Sequence, residues 1–417
     1  MRRNFNKSRK IQTLLLFFAF ALLAPGSQIQ SDDRPAFRYA KEGYRFQFPR
    51  DLRPRNGYRT SWWYYTGHLY PESAGASAAT DALQGDDQYK GRRYGYQFTI
   101  FKIENAPNPS GDYRRGATFF MAHLALTDEH SRKYYFTERL QRHFPGMAGY
   151  DPESRTVYVE NNTLQIDDSG RNHRIRMRAD DFRLELDLTT ALGPLTHGEN
   201  SVSRKGYTPG SASHYISIPD LLGEARLTIG AKGETQKLYA KSWMDIEFGS
   251  NVLSKTQTGW DWLHVSLENN VRYMVFRVRD SAGRDFYSAS VIDAAGRIRP
   301  VDAERIQMRP GRVWTSPATG AAYPVEWEIV VEDTVLKIKP WLDGQEAHPG
   351  EREGSRVSYW EGAVDVTATR RPANDSTQND SMQNDTVDDS AARTTRTLRG
   401  VGYVEMTGYA GSMGGTL

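Results

Sequence analysis

The sequence contains no cysteine. That absence excludes a disulfide framework, thiolate zinc sites, iron–sulfur clusters, cysteine nucleophiles and a lipid-modified N-terminal cysteine together. A surplus of either charge is also missing, since 54 Lys+Arg stand against 51 Asp+Glu in 417 residues, a formal net charge of +3. A dedicated nucleic-acid binder needs a basic face, and here basic residues alternate with acids, so no nucleic acid is expected as a partner. Beyond the N-terminal segment no run is apolar enough to span a bilayer as a helix, which takes about 20 apolar residues. Long stretches of helical period are scarce. Gly91 to Gly95 lacks the Gly-Lys-Ser/Thr ending of a phosphate-cradling loop. There is no His-Glu-x-x-His, and none of the 9 histidines pairs at metal-ligand spacing on one helix, so neither metal nor cofactor is expected. Ala410-Gly411-Ser412-Met413-Gly414 has the outline of a hydrolase nucleophile elbow, but it lacks the following helix and the later acid and histidine that an elbow requires.

What the chain does have is rings: 23 Tyr, 17 Phe and 9 Trp, beside 36 Gly. The rings alternate. Tyr94, Tyr96, Phe98 and Ile100 fall at every second position, as do Ile175 and Met177, then Phe182, Leu184, Leu186 and Leu188 with charged residues between. Further on, Tyr273 and Val275 interleave with Met274, Phe276 and Val278, and Val325, Trp327 and Ile329 with Glu326 and Glu328. Short strands punctuated by Gly, Asn and Asp predict antiparallel sandwiches or barrels, and the length suits two domains. The one segment with room for a helical turn is Phe136 to Phe144, ended by Pro145-Gly146.

Two segments stand apart. Arg2, Arg3, Lys7, Arg9 and Lys10, an apolar run from about Leu14 to Ala24 and the small residues Ala24, Gly26 and Ser27 form the layout of a secretory signal peptide over 1–27. A cleaved signal predicts a periplasmic or secreted protein. From 370 to 399 aromatics vanish and a five-residue Asn-Asp repeat appears, which predicts a disordered insertion within a hairpin, because strand sequence resumes at Val401.

The candidate site residues are aromatic and acidic. In Ser61 to Leu69, Trp62 and Tyr64 share one strand face while Trp63 and Tyr65 share the other, so the strand is either packed on both sides or exposes one ring face to a ligand. In Ser242 to Ser250, Met244, Ile246 and Phe248 make an apolar face, and Trp243, Asp245 and Glu247 make the other. Two carboxyls at i and i+2 beside an indole raise one pKa through like charge and desolvation, giving a general acid near neutral pH; the alternative is a solvated polar face. Trp260, Trp262 and His264 alternate in the same way, as core or as cavity lining, and His123 shares a face with Met121 and Ala125, as a core histidine would.

Taken in order, Trp62-Trp63-Tyr64-Tyr65-Thr66-Gly67, His123 to Asp128, Ser203-Arg204-Lys205-Gly206, Ser213-His214-Tyr215, Trp243 to Glu247, Gly259-Trp260-Asp261-Trp262, Tyr323 to Trp327, Tyr359-Trp360-Glu361-Gly362 and Gly402 to Tyr409 resemble the carotenoid 1,2-hydratase family and its secreted AttH-type relatives. The resemblance runs from about Tyr58 to Tyr409. It implies an all-β protein of two lipocalin-like antiparallel barrels side by side, expected over 36–238 and 239–417, with strands of both walling an apolar pocket. It also implies Asp245 as proton donor to a C=C bond, Trp243 or Trp62 facing the carbocation, and water placed by Glu247 or His264, without a cofactor. Ile246 departs from the pattern, where a histidine often stands. Trp62, Tyr64, His123, Trp243, Trp260 and Trp262 are the expected ligand contacts. Two functions stay open: a protein that binds an isoprenoid or acyl-chain molecule and hydrates it, and a non-enzymatic carrier in envelope lipid or lipoprotein traffic, with transporter components as partners.

Overall fold

The computed structural model describes residues 36–72, 92–112, 114, 118–251, 253–350, 357–371 and 396–414. The expected signal segment and most of the Asn-Asp insertion lie outside these residues.

The first sheet contains β1 (Thr60–Pro71), β2 (Tyr94–Glu104), β3 (Thr118–Asp128), β4 (Lys133–Arg142), β5 (Ala148–Asp151), β6 (Thr156–Val159), β7 (Asn162–Ile166), β8 (Asn172–Arg178), β9 (Phe182–Thr189), β10 (Leu195–Thr196), β11 (Ser203–Arg204), β12 (Ala212–Ile229) and β13 (Gln236–Gly249). The second contains β14 (Gln257–Leu267), β15 (Arg272–Asp280), β16 (Phe286–Ile292), β17 (Ile298–Val301), β18 (Ile306–Pro310), β21 (Trp327–Val331), β22 (Thr334–Pro340), β23 (Glu346–Ala347), β24 (Tyr359–Arg370) and β25 (Leu398–Met406), while β19 (Val313–Thr315) and β20 (Ala322–Pro324) form a separate hairpin. Each large sheet is antiparallel and curls into a nearly closed barrel, the two-barrel all-β fold that the family resemblance implies.

Alternation builds each barrel. Trp63 and Tyr65 of β1, Phe98 and Ile100 of β2, Leu184 and Leu186 of β9 and Met244, Ile246 and Phe248 of β13 all enter the first core. Val265, Val275, Ile329, Val364 and Val404 enter the second. Each interior is therefore filled by side chains. Two sequence expectations are revised, and the bounds of a third are narrowed. The break at 238/239 falls inside β13, which pairs with β1 and β12 along its length, so the chain passes to the second barrel only between Gly249 and Gln257. Phe136 to Phe144 forms no helical turn, because β4 pairs with β3 from Lys133 to Arg142 and the ladder satisfies its backbone. The insertion joins β24 to β25 as a hairpin, although their pairing already reaches Ala368 and Leu398.

The barrels meet along a seam made by outward-facing residues of β1, β2, β13, β14, β24 and β25. Backbones approach closely there. A methyl group added at Gly95 would lie 2.6 Å from Ala363 Cβ and 3.2 Å from Tyr403 Oη, both on the other barrel. Gly95→Ala is expected to cost about 1–3 kcal/mol through overpacking. Urea denaturation should show a lower midpoint with an unchanged slope.

Candidate functional site

On β1, alternate residues reach outward across the seam. Tyr64 Oη donates to Glu361 Oε1 at 2.7 Å, Thr66 Oγ1 and His264 Nε2 are 3.1 Å apart, and His68 Nε2 donates to the Gly402 carbonyl at 3.1 Å. Toward Thr60 these cross-bonds stop and a cavity of about 150 Å³ opens between the barrels. Its walls are Trp62, Tyr64, Phe101 and Ile103 from β1 and β2, Asp245 and Glu247 from β13, and Trp260, Trp262, Phe276, Val278 and Glu405 from the second barrel, with Lys205, Asn251 and Leu253 from connecting segments. Trp62, Phe101, Ile103, Trp260 and Lys205 are half-buried and form the mouth, whereas Tyr64, Asp245 and Trp262 are buried at its floor.

Asp245 is held by neutral donors alone. Tyr215 Oη donates to Oδ2 at 2.6 Å, Trp243 Nε1 donates to Oδ1 at 2.7 Å, and the Ser217 hydroxyl also donates to Oδ1. Burial is the largest influence on this carboxyl and lifts its pKa from 3.8 to about 7 against the three hydrogen bonds; the Glu247 charge adds a smaller push. Glu247 differs, because its Oε2 accepts from Ser213 and pairs with Lys205 Nζ at 2.9 Å. Lys205 in turn lies over the Tyr215 and Phe276 rings at 4.7 and 4.4 Å. Glu405 takes a hydrogen bond from Trp260 Nε1 at 3.0 Å, and burial pushes its pKa up to about 7. Behind it, burial raises the Glu361 pKa well above 4.5, and its Oε1 accepts the Tyr64 hydroxyl.

Six of the nine sequence-derived site residues meet here: Trp62, Tyr64, Asp245, Glu247, Trp260 and Trp262. Trp243 stands one layer behind, orienting Asp245 through its indole N–H. His264 lies behind Trp243, stacked on it at 4.7 Å, away from the cavity wall, and burial pushes its pKa well below 6.5, so it is neutral. His123 sits further along the seam between Tyr359 Oη at 2.7 Å and Glu138 at 2.9 Å. Glu405, Glu361, Lys205, Tyr215 and Ser217 were missed as site residues. Their signal in the sequence was slight: Glu405 lies between Val404 and Met406, and Glu361 follows Trp360, acids set inside apolar strands. Among the described residues, no three His, Asp or Glu side chains converge as metal ligands.

An AttH-like family profile matches residues 39–409. The chain belongs to the AttH-like family. The crystal structure of a protein assigned as AttH from Nitrosomonas europaea is similar, with 27% identity and a TM-score of 0.68, covering 88% of this chain and 98% of that one. Kievitone hydratase from Nectria haematococca shares the fold at 14% identity and a TM-score of 0.59, covering 91% of this chain and 98% of its own. No curated protein matches this AttH-like sequence.

The raised carboxyl of the AttH-like protein is linked to its stability. An acid whose folded pKa, about 7, exceeds its unfolded value of 3.8 stabilises the fold while protonated, and this contribution is lost as pH rises from about 4 to 7. Asp245→Asn, which is uncharged at every pH, should therefore gain on the wild type across that range, by a few kcal/mol at pH 8 at about 1.4 kcal/mol per unit. Denaturant melts at pH 4, 6 and 8 measure the difference.

Proposed function

We propose that this protein admits the apolar end of an isoprenoid or acyl-chain molecule into the cavity between its barrels and hydrates a C=C bond there by acid catalysis. The observation that carries the reading is the setting of Asp245, a buried carboxyl at the floor of a ring-walled chamber with neutral donors alone around it. An arginine partner would hold such a group ionised and suit a carrier; the seam arginines pair elsewhere, Arg93 with Glu129 and Asp365 and Arg272 with Asp220. With a pKa of about 7, Asp245 holds a proton to give and gives it readily near neutrality.

Protonation at the less substituted alkene carbon leaves a tertiary cation. The Trp62, Trp260 and Trp262 indoles wall the space where it forms, and a desolvated ring face is worth about 2 kcal/mol to a cation. Size supports the same reading, because a cavity of about 150 Å³ holds one benzene-sized group, so a long ligand enters by its end. Kievitone hydratase shares this fold, and its name supports the reading of a hydration. The resemblance to carotenoid 1,2-hydratases points to the same addition of water. Export through the N-terminal segment belongs to this proposal as the expected location.

Citronellol, a ten-carbon alcohol ending in a trisubstituted double bond, serves as a probe in heavy-oxygen water. Wild type should yield labelled diol, at a rate that falls as pH rises above about 7 and Asp245 loses its proton. Asp245→Asn should be slower by about 10²–10⁴-fold. Binding of the probe without label in either protein would replace the enzyme by a carrier.

A further inference from the structure

We infer that Glu405 is the second catalytic carboxyl of the cavity, the base that takes the proton of the attacking water while Asp245 delivers one to the alkene. The inference rests on the hydration proposed above and assigns its missing half. Water adding to a cation must shed a proton, and a dry, ring-walled chamber needs an acceptor on its wall.

Three groups are candidates, and two are engaged. Glu247 forms an ion pair with Lys205 at 2.9 Å and accepts from Ser213, so a proton taken there would dissolve the pair. His264 is not on the cavity wall; it stacks on Trp243, and its Nε2 is bonded to Thr66. Glu405 remains. It lies on the wall, part of its surface faces the cavity, and its one hydrogen bond is the Trp260 indole N–H to Oε2. Oε1 has no donor among the described residues and is not sealed from the cavity.

The placement also separates acid from base. Asp245 belongs to β13 of the first barrel and Glu405 to β25 of the second, so the two carboxyls reach the chamber from opposite barrels. Three donors hold Asp245 by both oxygens, whereas a single indole leaves one Glu405 oxygen open to water. The other groups around Glu405 are Glu247 and Lys205 on the cavity wall, Glu361 and Tyr359 on β24 and Tyr64 on β1. Glu361 is its register partner on β24, and burial raises its pKa.

The step balances. The Asp245 carboxyl proton forms the new C–H bond as the π bond breaks, water oxygen forms the C–O bond, and one water proton passes to the Glu405 carboxylate. Asp245 is left ionised and Glu405 protonated. Transfer of that proton back to Asp245 through water restores both.

Citronellol in heavy water containing heavy oxygen tests both halves at once, with intrinsic fluorescence titration of the probe to show that each variant folds and binds. In Glu405→Gln, labelled diol should fall by about 10²-fold or more, yet the recovered alkene should still gain deuterium, because the cation forms and loses a proton again. Asp245→Asn should lose both signals. Trp260→Phe removes the N–H that favours the Glu405 carboxylate, so the acidic limb of its rate profile, where the base becomes protonated, should move to higher pH. Wild-type diol formation by Glu405→Gln, or loss of deuterium uptake along with diol in that variant while it still binds, overturns the base assignment and leaves the hydration standing. Absence of both signals from wild type overturns the hydration and this inference together.

Discussion

Burial of the outer faces of two barrels against each other is the constraint on which the site depends. A lone barrel can solvate its outward residues; here the outward residues of β1 must find partners on a second wall. Tyr64, Thr66 and His68 do so at every second position, meeting Glu361, His264 and the Gly402 carbonyl. Unpaired polar groups in such a seam would cost about 1–3 kcal/mol each, so the register of the two barrels is tightly specified. The cavity lies at the Thr60 end of the same strand, where the cross-bonds stop and indoles replace them.

Removal from water then decides the chemistry of the acids. Asp245, Glu405 and Glu361 are all raised, and in each the largest cause is loss of solvent rather than a neighbouring charge. What separates them is the number of donors the seam supplies. Asp245 has three, whereas Glu405 and Glu361 have one each. Cations at the junction are kept from these groups: Lys205 is held by Glu247 and two rings, and Arg93 by Glu129, Asp365 and the Trp341 ring at 4.0 Å. The same burial that raises the pKa of these carboxyls destabilises the fold as pH rises, a trade expected where a site holds buried acids.

Much of the architecture was legible because strand alternation has a period of two and survives any tertiary arrangement. The face of Met244, Ile246 and Phe248 enters the first core and the face of Trp243, Asp245 and Glu247 turns outward, as the pattern predicts. β15 carries two apolar faces for the same reason, Tyr273 and Val275 inward and Met274, Phe276 and Val278 against the seam. Periodicity places a residue on a face but does not say what covers that face. Hence His264, on the ring-rich face of β14, could be taken for a cavity group although it stacks on Trp243 off the cavity wall, and Glu405 passed unnoticed although it is on the wall.

The amino-acid order by itself determined the strands and their inward faces, because these follow from side-chain period and local turn chemistry; that pattern left sandwich and barrel open, and the two-barrel fold followed from the family resemblance. Only the tertiary structure decided which carboxyls share a cavity, which of them meets a lysine, and how far each is removed from water. Those properties depend on contacts between strands as far apart in sequence as Tyr64 and Glu361. A contact over that separation is made by the packing of two sheets, and no local pattern encodes it.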